Sequence, residues 1–169
     1  MHRISTVKAI AVAGAVMAAV VGAAAPHSAA QSTAYYDSCG RRVGTARVSG
    51  TTTYYYDAQG RLAGTARTDG AGVAYYDSKG ARLATQRPVG SAVYLYNQKG
   101  VTEGRAQKTG ESFSVYDAKG ARVETQRPTS QSTYYYDASG RLTGRAHAPA
   151  QADAVTTPTP DFGRRLFFR

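Results

Sequence analysis

Tryptophan is absent from this 169-residue chain, methionine occurs twice and cysteine once. Beyond residue 30 there is no isoleucine or methionine, and leucine, valine and phenylalanine are sparse. An aliphatic core of the usual size is therefore excluded, and the composition borders on that of disordered chains. The lone Cys39 excludes an internal disulfide. It stands in Asp37-Ser38-Cys39-Gly40, where two readings stay open: a tolerated turn residue, or intermolecular pairing. Histidine is as scarce, His147 being the only one after residue 30. There is no zinc-ligand spacing, no Gly-x-Ser-x-Gly elbow and no phosphate-cradling loop, so the parts for nucleophilic, acid–base or metal chemistry are missing. A non-enzymatic chain without cofactor or metal is expected.

Only one long uncharged run is present, the Ala/Val/Gly stretch from Ala9 to Ala25 behind a basic start of His2, Arg3 and Lys8. Ser28-Ala29-Ala30 follows as a small-residue site, so residues 1–30 read as an export signal cut before Gln31. Ala23-Ala24-Ala25 is a second candidate, disfavoured by Pro26. An uncleaved anchor is the competing reading, although the run is short for a span and built of weakly apolar residues. Export places the protein in the periplasm or outside the cell, with no transmembrane span left after cleavage. The formal net charge of +10 survives loss of Arg3 and Lys8 as a strong cationic surplus. That surplus favours anionic partners.

What is abundant is tyrosine. All 13 tyrosines fall between Tyr35 and Tyr136, inside a unit of 20 residues written six times. Aligned on Tyr36, Tyr56, Tyr76, Tyr96, Tyr116 and Tyr136, the copies place Asp37, Asp57, Asp77, Asn97, Asp117 and Asp137 next. Gly40, Gly60, Gly80, Gly100, Gly120 and Gly140 follow three positions later. A strict period of this length marks an array of one supersecondary unit whose copies bury apolar area only against their neighbours.

Each unit reads as a β-hairpin. Thr51 to Tyr56 is an uninterrupted β-branched and aromatic run, which favours an extended strand. Asp57 then accepts from backbone N–H groups of a tight turn, and Gly60 supplies the positive φ for the return. A second turn recurs at Gly50, Gly70, Gly90 and Gly110, with Ser130 in the last case. The expectation over residues 31–148 is an all-β antiparallel meander of about twelve short strands, with no helix in the repeats. A lone hairpin would not stand: ordering the backbone costs about 1–2 kcal/mol per residue, against about 1.5–3 kcal/mol for each large apolar side chain buried. Six copies read as too few for a closed shell, so a solenoid or a curved open sheet is expected.

A period of 40 lies over the period of 20. Two residues before the aligned tyrosine the chain reads Ala34, Tyr54, Ala74, Tyr94, Ser114 and Tyr134. On the return strand Val43, Leu83 and Val123 alternate with Leu62 and Leu142 one position earlier. Two explanations stay open: two hairpin environments in which large side chains fill space left by small ones, or duplication of a 40-residue ancestor. Beyond His147 the period ends. Residues 149–169 read as a proline-containing linker followed by a basic aromatic tail, Phe162 to Arg169, expected to fray, to pack over the last hairpin or to touch an acidic envelope surface.

Tyr-Asp-x-x-Gly-Arg-Leu, at Tyr56 to Leu62 and Tyr136 to Leu142, resembles the YD repeats of Rhs-type bacterial surface proteins. The resemblance implies a spiralling β-sheet that encloses cargo. Tyr54-Tyr55-Tyr56-Asp57-x-x-Gly60-x-Leu62-x-Gly64 is also similar to the 20-residue choline- or glucan-binding cell-wall repeat. That likeness implies stacked hairpins holding ligands between aromatic rings of successive copies.

The aligned tyrosines are expected in the core. Tyr35, Tyr55, Tyr75 and Tyr135 alternate to the other face, where they are candidate platforms for sugar rings or cages for quaternary amines. Arg47, Arg67, Arg87 and Arg127 recur eleven residues after the aligned tyrosine, with Gln107 and His147 completing the row. Arg41, Arg61 and Arg141 form a second row beside the turns. Such rows suit an anionic polysaccharide, a lipopolysaccharide or a cell-wall polymer, and extracellular nucleic acid less well. As a purely structural feature they are a solvated face that discourages aggregation. One carboxylate per copy makes a poor calcium ladder. The aspartates and glycines are therefore assigned to the turns. The expected function is binding of an envelope polymer by tyrosine and arginine rows, the alternative a surface spacer or assembly module without a small ligand.

Overall fold

In a computed structural model of the chain, residues 32–148 and 160–168 are described. The proposed signal, and most of the linker, lie outside them. The first two copies form β1 (Ser32–Asp37), β2 (Arg42–Ser49), β3 (Thr52–Asp57) and β4 (Leu62–Asp69). Copies three and four form β5 (Gly72–Asp77), β6 (Arg82–Val89), β7 (Ala92–Asn97) and β8 (Thr102–Thr109). The last two form β9 (Ser112–Asp117), β10 (Arg122–Pro128), β11 (Ser132–Asp137) and β12 (Leu142–His147), and α1 (Phe162–Phe167) follows.

The turns are built as the residues dictate. Asp57 Oδ1 accepts from the backbone N–H of Gln59 at 3.0 Å and of Arg61 at 2.9 Å, and Gly60 sits at φ 81°. Asn97 makes the same pair of bonds, to Lys99 and Val101, so the amide replaces the carboxylate without loss of the turn. Every hairpin also carries a bulge at one place: Tyr55 lies opposite Gly64, but Tyr56 lies opposite Leu62. A bulge repeated in each copy bends the ribbon in one sense.

The ribbon closes. All twelve strands form one antiparallel barrel in which β1 pairs with β12, so the expected solenoid or open sheet is corrected to a closed wall. The seam uses the register of every other junction between copies: Tyr35 faces Ala146 and Asp37 faces Gly144, as Tyr55 faces Ala46 and Asp57 faces Gly44. Copy six thus meets copy one as it would meet a seventh, and no strand edge is left unpaired.

The two faces of the wall are the reverse of the sequence expectation. Tyr35, Tyr55, Tyr75 and Tyr135 point into the bore, 4%, 7%, 4% and 0% exposed, with Leu95 and Val115 at the same position of copies four and five. The aligned tyrosines lie on the outer face, only partly buried. Opposite each inward tyrosine the return strands offer small residues, Gly44 and Ala46, Gly64 and Ala66, Gly144 and Ala146. The bulge, present in every copy, sets which of the return-strand positions 43, 62, 83, 123 and 142 faces inward and does not itself alternate between copies. Val43, Leu83 and Val123 pack against the core, whereas Leu62 and Leu142 lie outside, each 38% exposed.

Twelve strands enclose a bore too wide for wall side chains alone, which fill about eight strands' worth. A helix, about 10 Å across with its side chains, occupies it. The expectation of a frayed or surface-packed tail is corrected here: α1 inserts among the inward tyrosines. Phe162 is 1% exposed, Phe167 lies 4.6 Å from the Tyr55 ring and Phe168 4.8 Å from the Tyr35 ring, centroid to centroid. Gly163 sits against Tyr55 where a Cβ would overlap the phenol.

Most polar groups carried into the bore are paired, Arg164 Nε being buried without a partner. Asp161 caps α1, its Oδ1 accepting from Arg164 N at 3.0 Å while its Oδ2 accepts from the Tyr135 hydroxyl at 2.7 Å. Gln126 Oε1 accepts from Asp161 N at 2.9 Å and Gln126 Nε2 donates to Glu124 Oε1 at 2.9 Å. Arg164 closes the chain by donating to Glu124 Oε2 at 3.1 Å, its guanidinium lying 4.2 Å from the Tyr135 ring centroid. Such pairing offsets the cost of bringing polar groups out of water. Burial pushes the Glu124 carboxyl up, against the opposing pull of Gln126 and Arg164. Burial first, then the Asp161 carboxylate, raises the phenols of Tyr35, Tyr55, Tyr75 and Tyr135. Tyr75 and Tyr135 donate from their hydroxyls, to Gln86 Oε1 and Asp161 Oδ2.

Candidate functional site

The outer wall carries the chemistry that faces solvent. Arg47, Arg67, Arg87 and Arg127 are all exposed there, and because the barrel closes, their row is a ring. Most of these guanidiniums lie over the aligned tyrosine of the next copy: Arg47 is 5.5 Å from the Tyr56 ring, Arg67 5.2 Å from Tyr76 and Arg127 4.8 Å from Tyr136. Where Gln107 and His147 interrupt the row, an arginine two residues earlier takes over. Arg105 reaches Tyr116 at 5.0 Å and Arg145 reaches Tyr36 across the seam at 5.1 Å. Those two arginines were missed in the sequence, although a signal was present: position nine after the tyrosine is arginine only in the copies where position eleven is not.

A guanidinium over an exposed ring is worth about 0.5–1 kcal/mol, so five such contacts help hold adjacent copies together. Arg47, Arg67, Arg127 and Arg145 stay exposed in these contacts, whereas Arg105 is half-buried with its Nε unpartnered. The second row is less available. Arg41 and Arg61 donate from Nε to Asp37 and Asp57 at 2.8 and 2.7 Å, and Arg141 to Asp137 at 3.4 Å. These contacts and the turn hydrogen bonds lower the aspartates. The backbone N–H of Arg41 or Arg61 contributes most for Asp37 and Asp57, and the Ser139 hydroxyl most for Asp137.

Shallow grooves open between copies beside the arginine ring. One of about 200 Å³ lies between β2 and β3, lined by Arg42, Arg47, Tyr56 and Asp57. Its counterpart between β6 and β7, of about 330 Å³, is lined by Arg82, Arg87, Tyr96 and Asn97. Arg122 and Arg127 hold the matching positions between β10 and β11.

The inward tyrosines form no outer platform for sugar rings: Phe167 and Phe168 lie against Tyr35, Tyr55 and Tyr75, and Arg164 lies over Tyr135. Openings of about 270 and 240 Å³ lie beside Asp161 at the barrel end, the first lined in part by Tyr35, Tyr55 and Tyr75 and the second by Tyr35 and Tyr135. The aspartates and glycines of the Asp-x-x-Gly turns are brought together at the opposite rim. Among the described residues no cluster of three or more metal-ligating side chains occurs, and no helix is long and apolar enough to cross a membrane. Cys39 is exposed and free in the first turn.

No protein-family model matches the chain, and comparison with curated proteins returns no match. Among solved structures, the crystal structure of an Arabidopsis thaliana protein is similar over 70% of this chain and 80% of its own, at 10% identity and a TM-score of 0.49.

Proposed function

We propose that the chain is an exported, non-enzymatic binding protein whose outer arginine ring holds an anionic polymer of the cell envelope, such as an acidic polysaccharide, a lipopolysaccharide or a cell-wall polymer. The observation that carries this reading is the exposure of Arg47, Arg67, Arg87 and Arg127 on one outer ring of a barrel with a cationic surplus. A closed ring of like charge focuses a potential that attracts polyanions. The tyrosines contribute as supports under the guanidiniums and not as sugar platforms in the bore.

The test is a pull-down of the full chain on lipopolysaccharide, acidic polysaccharide and cell-wall fractions at low and high salt. Retention at low salt that is lost well above about 0.15 M, where screening shortens to a few ångströms, and lost in the variant with all four arginines changed to glutamine, is the expected result. Retention indifferent to both rejects the reading. A structural module is the second reading, favoured by the contacts of Arg47, Arg67 and Arg127 with the neighbouring copy's tyrosine. It expects no retention in any fraction, with a lowered melting temperature in the same variant.

A further inference from the structure

We propose that the outer groove between β6 and β7 is a specific subsite for a phosphate monoester carried on a sugar-sized unit. The proposal rests on the polymer-binding reading and adds to it the place and chemistry of recognition.

The period of 40 residues places an arginine pair in every second junction: Arg42 with Arg47, Arg82 with Arg87, and Arg122 with Arg127. These junctions are four strands apart in a barrel of twelve, one third of the circumference each. The middle one departs from the other two in three ways. Asn97 stands where Asp57 and Asp137 bring a carboxylate, so no acidic side chain lines the groove. Among the described residues Arg87, alone in its row, lies over no ring and makes no hydrogen bond or ion pair, whereas Arg47, Arg67 and Arg127 are each seated on a tyrosine. Tyr96 is correspondingly the one aligned tyrosine with no guanidinium of the described residues over it; Tyr94 stacks beside it at 6.2 Å.

Each departure has a chemical consequence. Arg82 is held in place by donating to Thr85 Oγ1 at 2.6 Å, and Arg87 is free to meet it across an anion. Asn97 Oδ1 is occupied by the N–H groups of Lys99 and Val101 at 2.9 and 3.0 Å, which leaves its amide nitrogen as a donor toward the groove. Two guanidiniums and an amide N–H₂, with no competing carboxylate, match a dianionic tetrahedral oxyanion. The volume of about 330 Å³ exceeds that of a bare phosphate, and the Tyr96 ring, which lines the groove with no guanidinium over it, provides an apolar wall for a sugar face.

The test is a titration of the ¹⁵N-labelled full chain with glucose 1-phosphate, inorganic phosphate, glucuronate and glucose. Glucose 1-phosphate is expected to shift the amides of Asn97, Gln98 and Gly100, inorganic phosphate to do so more weakly, and glucose not at all. Arg87→Gln and Asn97→Asp are each expected to weaken binding by about tenfold or more, as loss of a charge-assisted donor does, while Lys108→Gln, the same charge change at an exposed residue outside the arginine ring, leaves it unchanged. Shifts spread equally over the three junctions, glucuronate binding as well as the sugar phosphate, or indifference to Arg87→Gln overturns the assignment. Salt-sensitive retention of the Arg87→Gln protein on envelope polymers, beside lost sugar-phosphate binding, separates this subsite from the wider reading.

Discussion

The hydroxyl of Tyr135 donates to Asp161 Oδ2 at 2.7 Å, and this bond joins the barrel wall to the cap of the helix that fills it. Because Asp161 also receives Arg164 N, one carboxylate both starts α1 and fixes it to β11. Tyr135→Phe keeps the ring and removes the donor. A loss of about 1 kcal/mol is expected, the net worth of one hydrogen bond in a partly buried site. Denaturant unfolding of the two proteins measures it, and equal midpoints would show that the bond is not a fastener.

Gly64 illustrates how tightly the helix is sheathed. A Cβ at this position would overlap the Phe167 ring and the Tyr76 carbonyl, and backbone cannot move aside as a flexible side chain can. Gly64→Ala is expected to lower stability by about 1–3 kcal/mol through overpacking. Alanine at Gly60 tests a different cause, since that site has open space but a φ of 81°. Comparing the two variants by thermal melts separates crowding from backbone strain.

Deleting residues 160–169 empties the bore. The inward tyrosines would then line a cavity with only their own edges in contact, and Gln126 and Glu124 would lose Asp161 and Arg164. Loss of the cooperative melt and binding of a hydrophobic dye are expected. A sharp transition at the wild-type temperature would mean that the wall stands without its filling.

The turn aspartates predict a pH dependence with a definite sign. Asp37, Asp57 and Asp137 are held below the ordinary carboxylate value, so their contribution is complete above the unfolded value and fades as pH falls through the folded one. Glu124 runs the other way. Its carboxyl is raised by burial, and its contribution is present below the ordinary value and declines as pH rises through the folded one. Asp37→Asn, Asp57→Asn and Asp137→Asn together copy the natural Asn97 turn. The melting-temperature gap between wild type and this variant is expected to shrink from pH 7 toward pH 2. A gap that stays constant would place the acid sensitivity elsewhere.

Much of the fold was legible because the hairpin is a local device. Asp57, Gly60 and Gly70 act through bonds and dihedral angles within a few residues of themselves, and strand lengths follow from their spacing. Which face turns inward is not local: side chains alternate with a period of two, and a shift of one residue exchanges every face. In Tyr54-Tyr55-Tyr56 the composition is the same on both sides, so the core was assigned to the wrong tyrosines. Leu95 and Val115 held the clue, being the aliphatic residues at the position that Tyr35, Tyr55, Tyr75 and Tyr135 otherwise occupy.

The chain's own residues determined the hairpin, its sixfold repetition and the outward arginine row, since each depends on contacts between near neighbours or on the period itself. Closure, the plugging of the bore by Phe162, Phe167 and Phe168, and the open groove at Arg87 were decided only in three dimensions. Closure needs the bend of all the hairpins to add up to one full turn. Plugging joins Asp161 to Gln126 across 35 positions of chain, and nothing in the intervening repeat announces that partnership.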